Sequence, residues 1–304
     1  MVINQKNVSL ATQGFRAIFI KELAGASIPI GLQLAMEVAS SNAVETWGWF
    51  EKVSGMKELT GEAKVEDLAA SSFTIPNKEW EDTVAIPQAD FERDKYGQYS
   101  KLIQLMAAGS KTHDSKQIAS LLMGGFTQKC YDDCNFFATE HKYQSNPKVK
   151  YSNKLTNKLS AKSYEAARKL IRKIPNAIGD PIGNGESLYL VVSAKNESVA
   201  KQILEAENDA NGATNVNRNT AKIIVWSAID MVNEDYWFLM DLGGIVKPFV
   251  VQRETKTQLI VCDDLEDSTV QRTHKFTYQA YKRAGYGYGL PQYAVGSTGA
   301  DAAL

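Results

Sequence analysis

The stretch FTIPNKEWEDTVAIPQADFERDKYGQYSKLIQLMAAGSKTHDSKQIASLLMGG, Phe73 to Gly125, decides the fold. Together with residues 57–72 it begins as two runs that alternate polar and apolar residues. Phe73, Ile75, Val84 and Ile86 are the β-branched or aromatic anchors. Charges lie along both runs, from Lys57, Glu58, Glu62, Lys64, Glu66 and Asp67 to Lys78, Glu79, Glu81 and Asp82. Strands so charged cannot bury both faces. The pattern predicts a long hairpin over 57–86 that projects from the body; the other reading is an edge hairpin whose charges block further pairing. Pro87 ends the strand, and Asp90 can cap a helical turn to Lys95. Tyr99, Leu102, Ile103 and Met106 then mark one face of a helix over 98–112, about 22 Å long. Asp114 and Gln117 read as the capping pair of a second helix, stopped by Gly124-Gly125.

Toward the N-terminus, Phe15, Ile18, Phe19 and Leu23 predict a short amphipathic helix. Residues 24–41, with Gly25, Pro29 and Gly31, read as an arm whose partner lies outside its own domain; the alternative is a helix on the core. Toward the C-terminus, residues 142–160 are polar and basic and read as a loop. A helix over 163–174, a Pro/Gly loop over 175–186, a strand at 188–192 and a helix at 197–205 follow. Strands at 223–229, 236–242 and 246–254 complete an α/β module. Residues 273–289 read as a long strand pair ending in Gly285-Tyr-Gly-Tyr-Gly289, and the last residues as frayed.

The chain has 304 residues, 44% hydrophobic and 23% charged, with net charge -1. That composition fits a globular chain of one large or two moderate domains and carries no general polyanion-binding signature. No apolar run is long enough to span a membrane, and no basic segment precedes the first apolar stretch as a signal peptide requires. Three cysteines, an odd number, fit a reducing cytoplasm.

Few residues offer chemistry. Cys130, Cys134 and His141 could form a metal site, and a metal-assisted hydrolase built on them is the enzymatic alternative. Structural zinc, however, needs a fourth ligand and tighter paired spacing. The expected reading is therefore no metal, no cofactor and no catalytic residue, with a tight turn and semi-buried thiols. Gly183-x-Gly185 precedes a strand rather than a helix, and no phosphate loop or nucleophile elbow occurs. Tyr143 and Tyr151 in the basic run could stack on bases, but a solvated loop is the preferred reading. The expectation is not an enzyme but a self-associating α+β protein.

Six features in order carry a resemblance. They are Thr46-Trp47-Gly48-Trp49, Phe73-Thr-Ile-Pro-Asn-Lys78, Glu81-Asp-Thr-Val84, Asp90-Phe91-Glu92, Gly97-Gln98-Tyr99, and Cys130-Tyr131-Asp132 through Phe136-Phe137 to His141. Asp241-Leu-Gly-Gly244, Pro248-Phe249, Gln252 and Arg283-Ala-Gly-Tyr-Gly287 extend it more loosely, and Asp133 departs from it. The sequence resembles the major head protein family of Mu-like phages and prophages. The resemblance implies the tailed-phage and herpesvirus (Hong Kong-type) major capsid fold. By order, residues 1–45 would be an N-terminal arm, 46–86 an extended hairpin loop and 87–145 a peripheral domain with a spine helix. Residues 146–245 would be an axial domain, and 246–304 the closing strands and tail. It further implies a subunit that assembles into hexamers and pentamers of an icosahedral shell in the bacterial host cytoplasm, ending in the virion. Scaffold, portal and head-completion proteins would be partners, and the shell would enclose double-stranded DNA without reading its sequence. Leu59, Val65, Leu68, Phe73, Ile75 and Trp80 are the expected subunit-interface residues. The shell of a non-viral compartment is the remaining alternative.

Overall fold

The computed structural model describes residues 3–25, 27–47, 73–93, 95–143, 146–183, 185–209 and 212–302. In chain order the elements begin with helices α1 (Gln5–Leu23) and α2 (Ile30–Gln33), then strands β1 (Ala35–Ala39), β2 (Val44–Trp47), β3 (Phe73–Pro76) and β4 (Lys78–Pro87). Helices α3 (Gln88–Glu92) and α4 (Tyr96–Gly124) lead into β5 (His141–Lys142), β6 (Lys150–Tyr151) and β7 (Lys154–Asn157). Then come α5 (Ala161–Lys173), β8 (Leu188–Val192), α6 (Glu197–Leu204), β9 (Lys222–Val225) and β10 (Trp237–Asp241). The chain ends with β11 (Phe249–Cys262), α7 (Ser268–Thr273), β12 (Lys275–Tyr288), a short 3₁₀ turn (Pro291–Tyr293) and β13 (Ala294–Asp301).

Two sheets organise the molecule. One has the order β1-β11-β12-β4, and the other β7-β13-β10-β8-β9. In β12 every second residue from Phe276 to Ala284 is buried, which is the alternation of a sheet covered on one face. That face carries α1 and α4. Val8, Thr12, Phe15 and Phe19 of α1 recur at helical spacing and are buried, and the apolar three meet Ile86, Phe91, Ile103, Met106, Phe276 and Tyr278. In β10 all five residues are buried, because the second sheet is covered on both faces. Trp237 and Leu239 pack with α5 and α6, while Phe238 and Met240 pack with Phe126, Phe136, Phe137 and Phe249 in the core shared with the first sheet.

Several sequence expectations need correction. Residues 24–41 are not an arm seeking an external partner: α2 lies against α4, and β1 pairs in parallel with β11. The two helices expected on either side of residue 113 are one helix, α4, of 29 residues. Asp114 is not its cap but lies buried in its middle. Its carboxylate binds Lys282 Nζ at 2.7 Å, Arg253 at 2.7 Å and the Tyr286 hydroxyl. Lys282 sits on the buried face of β12 and is 3% exposed, so helix and sheet each present a charge the other must neutralise. Burial works to raise the Asp114 carboxyl. The hydrogen bonds from His113 and Arg253 and the charges of Lys282 and Arg253 hold it well below the usual carboxylate range.

Of the hairpin expected over 57–86, residues 57–72 lie outside the described residues; the remainder, 73–86, is redrawn. β3 pairs with β2, Val44 opposite Pro76 and Trp47 opposite Phe73, so the described root of the hairpin is 44–47 with 73–76. β4 leaves that pairing and becomes the edge strand of the first sheet, against β12. Residues 273–289 are not two strands but the single strand β12, whose partners are β11 and β4. Residues 294–301, within the end expected to be frayed, form β13, which lies between β10 and β7. Among the described residues no helix is long and apolar enough to cross a membrane.

Removing the Asp114 carboxylate strands Lys282 in the interior, while Arg253 keeps its ion pair with Glu37 at 2.8 Å. Asp114→Ala is expected to cost on the order of 3–5 kcal/mol, measured by denaturant unfolding. Because the folded carboxyl is depressed, its stabilisation is present above the unfolded value of roughly 3.9 and is lost as pH falls below it. Wild-type stability should therefore fall on acidification, and Asp114→Ala should fall less steeply.

Candidate subunit interface and a buried polar cluster

The hairpin root is fastened to the first sheet by one side chain. Gln252, fully buried on β11, accepts from Trp47 Nε1 at 3.1 Å and donates to the Ile75 carbonyl at 3.1 Å and to Asn77 Oδ1 at 2.9 Å. It thus grips both strands of the root. Ile75 enters a groove made by Gly285 and Gly287: a Cβ at either glycine would come within 2.8 Å of its side chain. The close approach is why Gly285-Tyr-Gly287 alternates glycine with an aromatic residue.

Of the six expected interface residues, Leu59, Val65 and Leu68 lie outside the described residues. Ile75 is corrected. It is 1% exposed and packs with Tyr131, Val250 and Leu290 of its own chain, so it has no face left for a neighbour. Phe73 and Trp80 are half-buried. Phe73 packs beside Ile75 at the root. Trp80 donates from Nε1 to the Ala284 carbonyl at 3.0 Å, and its ring lies 4.4 Å from His113 and 6.0 Å from Tyr286. The two sit in different sheets, Phe73 in the β2-β3 pair and Trp80 in the first sheet, on either side of Asn77. Beside Trp80, residues Glu81, Asp82, Gly109, His113, Lys116 and Lys282 line a cavity of about 200 Å³.

Sequence reading missed other exposed apolar side chains. Ile245 is 97% exposed, Met231 86% and Val216 78%. They lie in loops, where no periodicity distinguishes a solvent-facing apolar residue from a core one.

The Cys130–Cys134–His141 reading is replaced by a different set. Among the described residues, Cys130, Asp132 and His141 bring three metal-type ligand atoms within 4.8 Å of one another, and Cys134 is not part of the group. Every one of these atoms is already committed. Cys130 donates to Asp132 Oδ1 at 3.1 Å, and the Cys134 amide donates to the same oxygen at 3.1 Å. His141 Nδ1 is 2.6 Å from Asp132 Oδ2, and its Nε2 is 3.0 Å from Asn153 Oδ1. Burial and the adjacent Asp132 charge push the Cys130 thiol up, and burial and Asp132 do the same to Cys134. Both thiols are therefore held away from the thiolate that a nucleophile or a zinc ligand must be. The cysteine also bonds the carboxylate rather than the imidazole, so the order of a nucleophile–base pair is absent. The residues do not fit a metal or a hydrolytic centre. Tyr143 and Tyr151 are buried as well, and so unavailable to stack on a nucleic-acid base.

The pattern of the family described as Mu-like prophage major head subunit gpT matches residues 8–158, 151–229 and 226–302. The major capsid protein of Escherichia phage Mu is 26% identical over 267 residues, 88% of this chain and 66% of that protein. The Mu-like prophage FluMu major head subunit of Haemophilus influenzae is 23% identical over 262 residues, 86% of this chain and 64% of that protein. The chain thus spans just under two thirds of the length of these relatives. Among solved structures, the procapsid of bacteriophage JBD30 superposes with a TM-score of 0.61 at 23% identity, over 97% of this chain and 76% of that one. The fold is that of tailed-phage capsid subunits, and the chain belongs to the Mu-like prophage major head subunit gpT family.

Proposed function

We propose that this chain is the major head subunit of a Mu-like phage or prophage, which assembles into the icosahedral shell around packaged DNA. The observation that carries the proposal is the family match, which runs from residue 8 to residue 302. The folding pattern supports it, because a structural neighbour over 97% of the chain is a procapsid subunit. The match to a head-subunit family favours a virion over a non-viral compartment.

In this reading the first sheet, with α1 and α4, is the peripheral domain, and α4 is its spine, about 43 Å long at 1.5 Å per residue. The second sheet, with α5 and α6, is the axial domain that lines the capsomer centre. Leu59, Val65 and Leu68, outside the described residues, are proposed with Phe73 and Trp80 to contact a neighbouring subunit in rings of five and six. Scaffold, portal and head-completion proteins act on the assembled surface. Assembly takes place in the host cytoplasm, and the product is the virion. The near-neutral chain holds the enclosed double-stranded DNA without reading its sequence.

Overexpressed chain viewed by negative-stain electron microscopy should show closed shells or five- and six-membered rings. A strictly monomeric chain at every concentration overturns the proposal.

The hairpin provides a sharper test. Two strands alone cannot shield both faces, so the apolar residues of the loop need a second surface. Deleting Glu66 to Ser72 should leave a cooperatively melting monomer, because the root is held by Gln252 and Ile75, while shells no longer form. A melting curve and a sizing column decide it: early unfolding, or normal particles, would misplace the element. The thiols, by contrast, should be dispensable. Replacing Cys130, Cys134 and Cys262 together by serine should leave particle yield unchanged, since the hydroxyl introduced by Cys130→Ser can still donate to Asp132. Stoichiometric zinc in purified protein would contradict this.

A further inference from the structure

The chain as a whole is near neutral, but its charge is segregated. Residues 142–173 hold ten lysines and arginines against one carboxylate, Glu165, a charge of +9, so the rest of the chain carries -10. Elsewhere opposite charges pair within the chain, Lys195 with Glu234 and Asp235, Lys201 with Glu197, and Arg283 with Glu254. Of the ten cations in 142–173, only Lys150 forms an ion pair among the described residues, with Glu140 at 2.9 Å. Helix α5 sets the pattern. Its Ser163, Tyr164, Ala167 and Ile171 are buried on the side that faces the second sheet. Lys162, Lys169 and Lys173 fall on the opposite side and are exposed, a stripe about 16 Å long at 1.5 Å per residue. Glu165 lies among them in sequence, but its carboxylate accepts from Asn217 Nδ2 at 2.7 Å. Helix stability does not account for the stripe. Lys173, in the last turn, suits the helix dipole; Lys162 stands in the first turn, where the dipole opposes a cation and no acidic residue offsets it.

The neighbouring segments extend the stripe at both ends. Ser163 Oγ donates to the Lys158 carbonyl at 2.8 Å, which sets the exposed Lys158 beside the start of α5. At the other end the Tyr143 hydroxyl donates to the Pro175 carbonyl at 2.6 Å, and Asn146 Nδ2 to the Ala177 carbonyl at 3.0 Å, which brings the exposed Lys148 there. No described ring of this segment opens onto the band, because Tyr143, Tyr151 and Tyr164 are buried. A face with cations but no ring offers no platform for unpaired bases. Lysines, as point charges on flexible stems, also hold phosphate without the fork by which arginine reads a base. We infer that this band, from Lys158 through Lys162, Lys169 and Lys173 to Lys148, binds the phosphate backbone of duplex DNA without reading its sequence. The inference deepens the head-subunit proposal, from which it takes the occupant. A duplex presents about nine charges over the length of the stripe, enough to engage every lysine. The -10 on the rest of the chain repels the duplex, so contact is confined to this band.

The test titrates the full chain, at a concentration below that at which particles form, into a fluorescently labelled duplex of arbitrary sequence and reads anisotropy. Between about 50 and 200 mM salt the affinity should fall about a hundredfold, as for about four phosphates neutralised. Lys162→Glu, Lys169→Glu and Lys173→Glu together should weaken binding at the lower salt by about tenfold or more and flatten the salt dependence. Lys6→Glu, Lys21→Glu and Lys101→Glu make the same change of net charge at exposed positions of α1 and α4 and should bind within about threefold of wild type. Should the α5 reversal fail to fold by its melting curve, glutamine at the same three positions gives the same readout. No duplex binding at the lower salt overturns the inference, and so does an equal loss in the two triple variants. Unlabelled polyglutamate that displaces the duplex as well as unlabelled duplex does, charge for charge, assigns the face to an acidic protein and overturns the occupant. Micrographs of the same wild-type chain at higher concentration keep the two readings apart. Particles without duplex binding overturn only this surface; duplex binding without particles overturns only the head-subunit proposal.

Discussion

The long ladder between β11 and β12 is the constraint on which the rest of the molecule depends. It runs from Phe249 opposite Tyr288 to Cys262 opposite Thr277, with two register shifts near Thr255. Once that register is set, strand alternation fixes what every neighbour must supply. The face holding Phe276, Tyr278 and Ala280 needs apolar cover, and α1 and α4 supply it. Gln252 on β11, with Gly285 and Gly287 on β12, makes a groove for two narrow strands, and β2 and β3 occupy it. A slip of one residue would turn all of these groups to the wrong face. The glycines, the glutamine and the helices are therefore answers to one register rather than separate features.

The same alternation explains the costliest group in the interior. Lys282 falls at an inward position of β12, and an unpaired ammonium there is prohibitive. Asp114 meets it from the middle of α4, with Arg253 from β11 and Tyr286 from β12 on the remaining lone pairs. Such a network adds little net stability over an apolar core. It does add specificity, because only one rotation of α4 about its axis brings Asp114 over Lys282. A helix packed by leucines alone could turn or slide; one with a buried carboxylate cannot without stranding a charge.

What was legible in the sequence was whatever depends on near neighbours. α5, α6, β8 and β10 appear within a residue or two of where their periodicity puts them, and Phe136-Phe137 are core anchors as read. What was not legible depends on partners far along the chain. Asp114 with Gln117 has the spacing of a helix start, and only Lys282, 168 positions away, shows that the helix runs through it. β13 reads as frayed because Gly296, Ser297 and Gly299 lack bulk; the bulk is withheld because the Phe137 ring would lie 2.9 Å from a Cβ at Gly296. Trp80 and Ile75 share one alternating pattern, yet Asn77 divides them between two sheets, so a single strand reading assigned both to one surface. What the sequence says of the expected interface residues divides in the same way. Phe73 and Trp80 keep partly open faces, whereas the pocket that claims Ile75 is built from glycines far along the chain, at 285 and 287.

In the proposed shell a subunit would have to be stiff where it bears on itself and adaptable where it bears on others, and the distribution of contacts here is compatible with that division. Among the described residues four apolar clusters, the Asp114 ion network and the polar cluster at His141 fill the interior, so each half has little freedom to repack. The exposed apolar side chains among the described residues are instead spread along loops and helix faces, Leu10 and Leu105 on helices, Val216 and Ile245 on loops. Contacts made by such single residues are individually weak. Repeated around the proposed rings they would add, and a misplaced subunit could dissociate before a ring closes. The edge strand β4 serves the same end. Its Lys78, Glu79, Glu81 and Asp82 are exposed, which discourages an indefinite sheet between neighbours. Pairing through the backbone would be strong and non-specific; a charged edge leaves association to side chains whose geometry can specify a closed angle.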